Sequence, residues 1–100
     1  MSGGDWKAMF KGIQENDLEL VKYYLRIGID PNYQHPEYMA LPLAESIRYN
    51  NIGIAEVLLS NGADPLIREM ESGGNCLVLA KKMKNSAVLD LLNKYIDKES

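Results

Sequence analysis

His35 and Cys76 are the chain's single histidine and single cysteine. A cysteine nucleophile with an imidazole base needs both at one place. His35 falls in a turn-rich stretch, where a surface loop residue is expected. Cys76 opens an apolar segment, where a small packing residue is expected. A small Cys76/His35 enzyme is therefore the weakest functional alternative. One His and one Cys cannot close a zinc site, so neither metal nor cofactor is expected. Glu69 and Glu71 form a possible carboxylate pair, but nothing converges on them, and they read as solvated loop charges. Gly73-Gly74 lacks the following Lys-Ser/Thr of a phosphate loop and reads as a turn. Lys81, Lys82 and Lys84 are the nearest thing to a basic patch and read as a solvated helix face. The 11 basic residues are outnumbered by 14 acidic ones, for a net charge of -3. That balance argues against nucleic acid or an anionic membrane as partner.

With catalysis unsupported, the elements that would position a binding surface become the question. The 100 residues, 46% hydrophobic and 25% charged, are one globular domain's worth. The chain repeats itself at an offset of 34. Asn16 to Pro31 aligns with Asn50 to Pro65, and Gly28, Asp30 and Pro31 fall on Gly62, Asp64 and Pro65. The apolar pattern returns over Asn85 to Tyr95 without the Gly-x-Asp-Pro ending. Leu41 to Ile47 aligns in the same way with Asn75 to Lys81 and, more weakly, with Lys7 to Ile13.

Each unit thus holds two apolar-periodic segments, about 42–49 and 52–60, then 76–83 and 86–95, which the spacing predicts as short helices. Asn50-Asn51 and Lys84-Asn85 separate them. Asn tolerates a positive φ and caps the helix that follows. Gly28 and Gly62 suit a left-handed helix stop, and the prolines just beyond cannot continue a helix. Helices this short are marginal alone, so stacked apolar faces must hold them. The expected core is Met9, Ile13, Leu18, Val21, Tyr24, Leu25, Leu43, Ile47, Ile54, Val57, Leu58, Leu59, Leu77, Ala80, Val88, Leu91 and Leu92.

These features resemble the ankyrin repeat. Leu58-Leu59-Ser60-Asn61-Gly62-Ala63-Asp64 is similar to the end of its second helix, and Leu41-Pro42-Leu43-Ala44-Glu45-Ser46 to the opening of its first. The family's Thr and His positions hold Leu41 and Ala44, so the hydrogen bonds that usually brace its loops are missing. Met39 stands where the middle unit's loop glycine would be. The tetratricopeptide repeat shares the period, but about ten residues separate successive helix pairs here, where that family uses short turns.

The resemblance implies an all-α ankyrin-repeat solenoid of about three helix-turn-helix units joined by β-turn or hairpin-like loops. Repeats are expected at about 5–34, 37–68 and 71–97, within one domain over 5–97, with flexible ends at 1–4 and 98–100. Polar residues at both ends read as caps of a complete stack. The implied function is a non-enzymatic protein–protein interaction module. A narrower alternative is a dedicated inhibitor or immunity-type protein that blocks one enzyme. By family position, partner contacts fall on loop tips and the concave face: Trp6, Gln14, Glu37, Tyr38, Arg48, Tyr49, Glu71, Ser72, Lys82 and Met83. Without a disulfide pair or a recognisable signal peptide, a cytoplasmic protein, monomeric in isolation, is expected.

Overall fold

The computed structural model describes residues 3–98. Six helices follow in order: α1 (Gly3–Gln14), α2 (Leu18–Arg26), α3 (Pro42–Arg48), α4 (Ile52–Ser60), α5 (Cys76–Lys82) and α6 (Ser86–Lys98). Consecutive helices pair as α1/α2, α3/α4 and α5/α6. Across pairs, α1, α3 and α5 stack in one layer, and α2, α4 and α6 in a second. This is the all-α repeat solenoid expected, with connecting loops that carry turns and no strand among the described residues. Helix begins at Gly3, earlier than the domain start expected at 5, and continues to Lys98. Of the flexible ends expected at 1–4 and 98–100, residues 1–2 and 99–100 lie outside the described residues.

The same local devices recur in each unit. Asn16, Asn50 and Lys84 adopt left-handed φ values of 57°, 56° and 54° and turn the chain between paired helices. The next residue opens the second helix. The Asp17 carboxylate accepts from Leu20 N–H at 3.2 Å and the Asn85 side chain from Val88 N–H at 3.1 Å, satisfying donors that a helix start leaves open. Asn51 is used differently: its amide donates to the Ile13 carbonyl at 2.7 Å, pinning the middle unit to the first. Gly28 and Gly62, at φ 103° and 96°, end α2 and α4. Beyond them Asp30 and Asp64 accept from the backbone N–H two residues on, at 2.8 and 2.9 Å.

Side chains keep the loops in register. Gln34 donates to the Arg68 carbonyl at 2.9 Å and accepts from Met70 N–H at 2.8 Å. Asn32 accepts from Asp64 N–H at 2.8 Å and donates to the Gly62 carbonyl at 3.0 Å. Glu71 N–H donates to the Met39 carbonyl at 2.9 Å. Met39 holds the missing loop glycine's left-handed conformation, at φ 52°, and Gly73, 34 residues on, holds it at 78°.

The core runs between the two layers. Met9, Ile13, Val21, Leu43, Ile47, Ile54, Leu58, Leu59, Ala80, Val88 and Leu92 are buried, as expected. Leu18, Tyr24, Leu25, Leu77 and Leu91 pack partly buried against them, and Val57 is intermediate. Trp6 and His35 depart from expectation. Trp6, assigned to the partner surface, is fully buried: it shares one face of α1 with Met9, Phe10 and Ile13, at the spacing of a helical stripe. His35, read as a surface residue, is 9% exposed and sits against the rings of Trp6, Tyr33 and Tyr38.

Candidate functional site

An open groove of about 820 Å³ runs along the α1–α3 layer beside the loops. Helix α1 supplies one wall with Lys7, Ala8, Phe10 and Lys11. Gln14, Glu45 and Arg48 form the floor. Tyr38, which packs against Phe10, completes the lining with Ala40, Tyr49 and Glu71. Five residues expected at the partner surface meet here: Gln14, Tyr38, Arg48, Tyr49 and Glu71. Glu37 joins them at the rim through an ion pair with Lys7 at 3.0 Å. That pair, by hydrogen bond first and charge second, holds the Glu37 carboxyl below its ordinary range. Ser72 and Lys82 line a separate small cleft with Val78. Met83 is exposed at the end of α5.

The floor is organised around Arg48. Its Nε donates to Glu45 at 2.9 Å, and its Nη1 and Nη2 donate to the two Glu69 oxygens at 2.8 and 2.7 Å. Gln14 donates to the other Glu45 oxygen at 2.7 Å. Glu69 is 1% exposed and also accepts from Leu41 N–H at 2.9 Å. Its expected role as a solvated loop charge is thus corrected: it is a buried acceptor that braces the loop entering α3. Burial pushes its carboxyl up, but the hydrogen bonds from Arg48, Leu41 N–H and Ser72 outweigh burial and hold it below the usual range. The same bonds with Glu69 raise the Arg48 guanidinium further above its already high value, against burial. Arg48 is therefore held by the fold, with every nitrogen of its fork engaged.

Aromatic rings back the α1 wall. Trp6 stacks on Phe10 with centroids 4.7 Å apart and donates from Nε1 to the Tyr33 carbonyl at 3.1 Å. Tyr38 packs on both rings, at 5.5 and 5.2 Å. His35 Nδ1 accepts from Glu37 N–H at 3.1 Å, fixing the turn that carries Glu37 and Tyr38.

Lys7, Phe10, Lys11 and Glu45 are groove residues that the sequence reading did not assign. Lys7 and Lys11 stand four apart on one helix face, with Gln14 one turn further, a spacing that marks a common wall. Glu45 precedes Arg48 by three, the spacing of a helical ion pair.

Cys76 is 1% exposed, and burial, aided by the nearby Glu69 charge, pushes its thiol up to about 12. That shift disfavours the thiolate that a Cys/His mechanism requires near neutral pH. Among the described residues no cluster of three metal-ligating side chains occurs, and no helix is long and apolar enough to cross a membrane.

Comparison with known proteins finds ankyrin repeat proteins among the relatives. The chain is 36% identical over 81 residues to the ankyrin repeat protein R664 of Acanthamoeba polyphaga mimivirus, a match covering 81% of this chain and 49% of that protein. It is 34% identical over 80 residues to the ankyrin repeat protein FPV031 of Fowlpox virus, covering 79% of this chain and 24% of the relative. It is 33% identical over 76 residues to the human 2-5A-dependent ribonuclease, covering 76% of this chain and 10% of that protein. The chain thus spans half or less of the length of these relatives. No family model matches, and no solved structure gives a significant match.

Proposed function

The chain belongs to the ankyrin repeat family, and from that premise we propose that it is a non-enzymatic module that binds another protein through the groove and the loop tips beside it. The groove carries this reading. It is a concave surface with a rigid ionic floor at Arg48, and two exposed tyrosines, Tyr38 and Tyr49, line it. A floor locked by hydrogen bonds loses little entropy when a partner docks. Tyrosine gives large contact area for few rotatable bonds and is enriched at interface centres. Glu37, Glu71, Ser72, Lys82 and Met83 extend the proposed surface along the loops and α5, while Trp6 supports it from within. Binding in the cytoplasm as a monomer remains part of the same proposal.

Site-specific photo-crosslinking tests it. A benzoylphenylalanine at position 49 should crosslink to a discrete protein in an extract of the source cells. The same probe at Tyr23, exposed on α2 in the other helix layer, should not. Equal capture from both positions would overturn the placement. No capture from either would overturn the binding role.

A further inference from the structure

We propose that the groove takes a basic segment of its protein partner, seating an arginine or lysine side chain beside Tyr38 and Tyr49 and facing Glu45 and Glu71. This rests on the reading of the groove as the binding face and names the chemistry of what fills it.

The distribution of charge carries the proposal. Arg48 is fully committed to Glu45 and Glu69. Two carboxylates share that one guanidinium, so the floor retains one excess negative charge. Glu71 lines the same groove, is exposed, and has no ion-pair partner among the described residues. Lys7, in the same groove, is neutralised by Glu37, and Lys11 has no ion-pair partner among the described residues. Potential in a groove between low-dielectric walls is focused. Glu45 and Glu71 therefore attract a cation, and Lys11 favours an acidic residue elsewhere along the segment.

The aromatic residues sharpen the choice. Tyr38 and Tyr49 are exposed and line the same groove as these carboxylates, and a cation over a tyrosine face is attracted by the ring's quadrupole. A guanidinium, planar and weakly hydrated, stacks on such rings better than an ammonium does. The net charge of -3 favours a basic partner at long range as well, and repels polyphosphate.

Panning a random peptide library displayed on phage against the full chain tests this. Groove-directed peptides are those lost on Tyr49→Ala. They should be enriched in Arg or Lys, and the best of them, made synthetically, should bind about tenfold more weakly to Glu71→Lys and weaken as salt rises. Both substitutions lie at exposed positions, with circular dichroism as the check on folding and Glu71→Gln as a milder second variant. Groove-directed peptides that are acidic or purely apolar would overturn the basic occupant while leaving the groove as a binding face. If no selected peptide is sensitive to Tyr49→Ala, both readings fall.

Discussion

Arg48 and Glu69 meet in a two-pronged ion pair, Nη1 to Oε1 at 2.8 Å and Nη2 to Oε2 at 2.7 Å, that ties α3 to the linker leading into the third repeat. The same carboxylate accepts the N–H of Leu41, the residue that opens α3. One buried side chain thus fixes both the start of the middle unit's first helix and the guanidinium at its end. The Thr and His hydrogen bonds that the family uses to brace its loops are missing here, and this cluster supplies a brace of different chemistry.

Glu69→Ala leaves Arg48 half-paired and the Leu41 N–H without its acceptor. The expected loss is about 2–4 kcal/mol of unfolding free energy. Glu69→Gln should cost less, because the amide oxygen still accepts from Leu41. Urea titration followed by circular dichroism measures both. Equal midpoints for wild type and Glu69→Ala would show that the cluster does not brace the fold.

The same group sets a pH dependence. The folded-state pKa of Glu69 lies below its ordinary 4.5. Its ionic contribution is therefore fully present above about 4.5 and is lost as pH falls through the folded value, where the unfolded chain already binds the proton. Arg48 stays charged throughout. The stability gap between wild type and Glu69→Gln should hold steady from pH 7 to about 5 and shrink below 4.5. A gap that widens with acid would contradict the sign.

How legible all this was depended on the range of the interaction. The offset of 34 marked the units, because turns and stops are local: Asn50, Gly62 and Asp64 act within a few residues of themselves. Trp6 was legible in principle, since it shares the stripe of Met9, Phe10 and Ile13, but its type also suits an interface. Glu69 was not legible. It and Glu71 look alike in sequence, and what buries one is Arg48, 21 residues away, brought there only when the repeats stack. The groove's ionic floor, being tertiary, was hidden for the same reason.

Met39 occupies a left-handed position, φ 52°, that costs a side-chain-bearing residue about 1–2 kcal/mol. Its side chain is 46% exposed, so little packing is lost on its removal. Met39→Gly should therefore raise stability by about 0.5–1 kcal/mol, the remainder going to the greater freedom of glycine in the unfolded chain. Gly62→Val should lower it. Space is open around the added side chain, but φ is 96°, which a β-branched residue resists. Thermal midpoints of the two variants moving in the same direction would refute this account of the turns.

Cys76 should be silent toward thiol reagents. With the thiol pushed up to about 12 and 1% exposed, modification by an aromatic disulfide at pH 7 should run on the order of a thousandfold slower than in denaturant. Rapid reaction in the folded state would reopen the question of a nucleophile at the start of α5.

Trp6 separates scaffold from surface. It is fully buried, stacks on Phe10, and donates to the Tyr33 carbonyl. Trp6→Ala should cost about 3–5 kcal/mol, through lost contacts and the cavity left behind. Trp6→Phe keeps much of the ring packing and forfeits mainly the Nε1–H bond, whose loss leaves a carbonyl unpaired at a cost of about 1–3 kcal/mol. A partner-contact residue would behave differently, weakening capture while leaving the unfolding midpoint in place. Folded Trp6→Phe should therefore bind the crosslinked partner with unchanged affinity, where Tyr49→Ala binds it poorly at full stability. Reversed behaviour of those two variants would move the binding surface from the groove to the aromatic cluster beneath it.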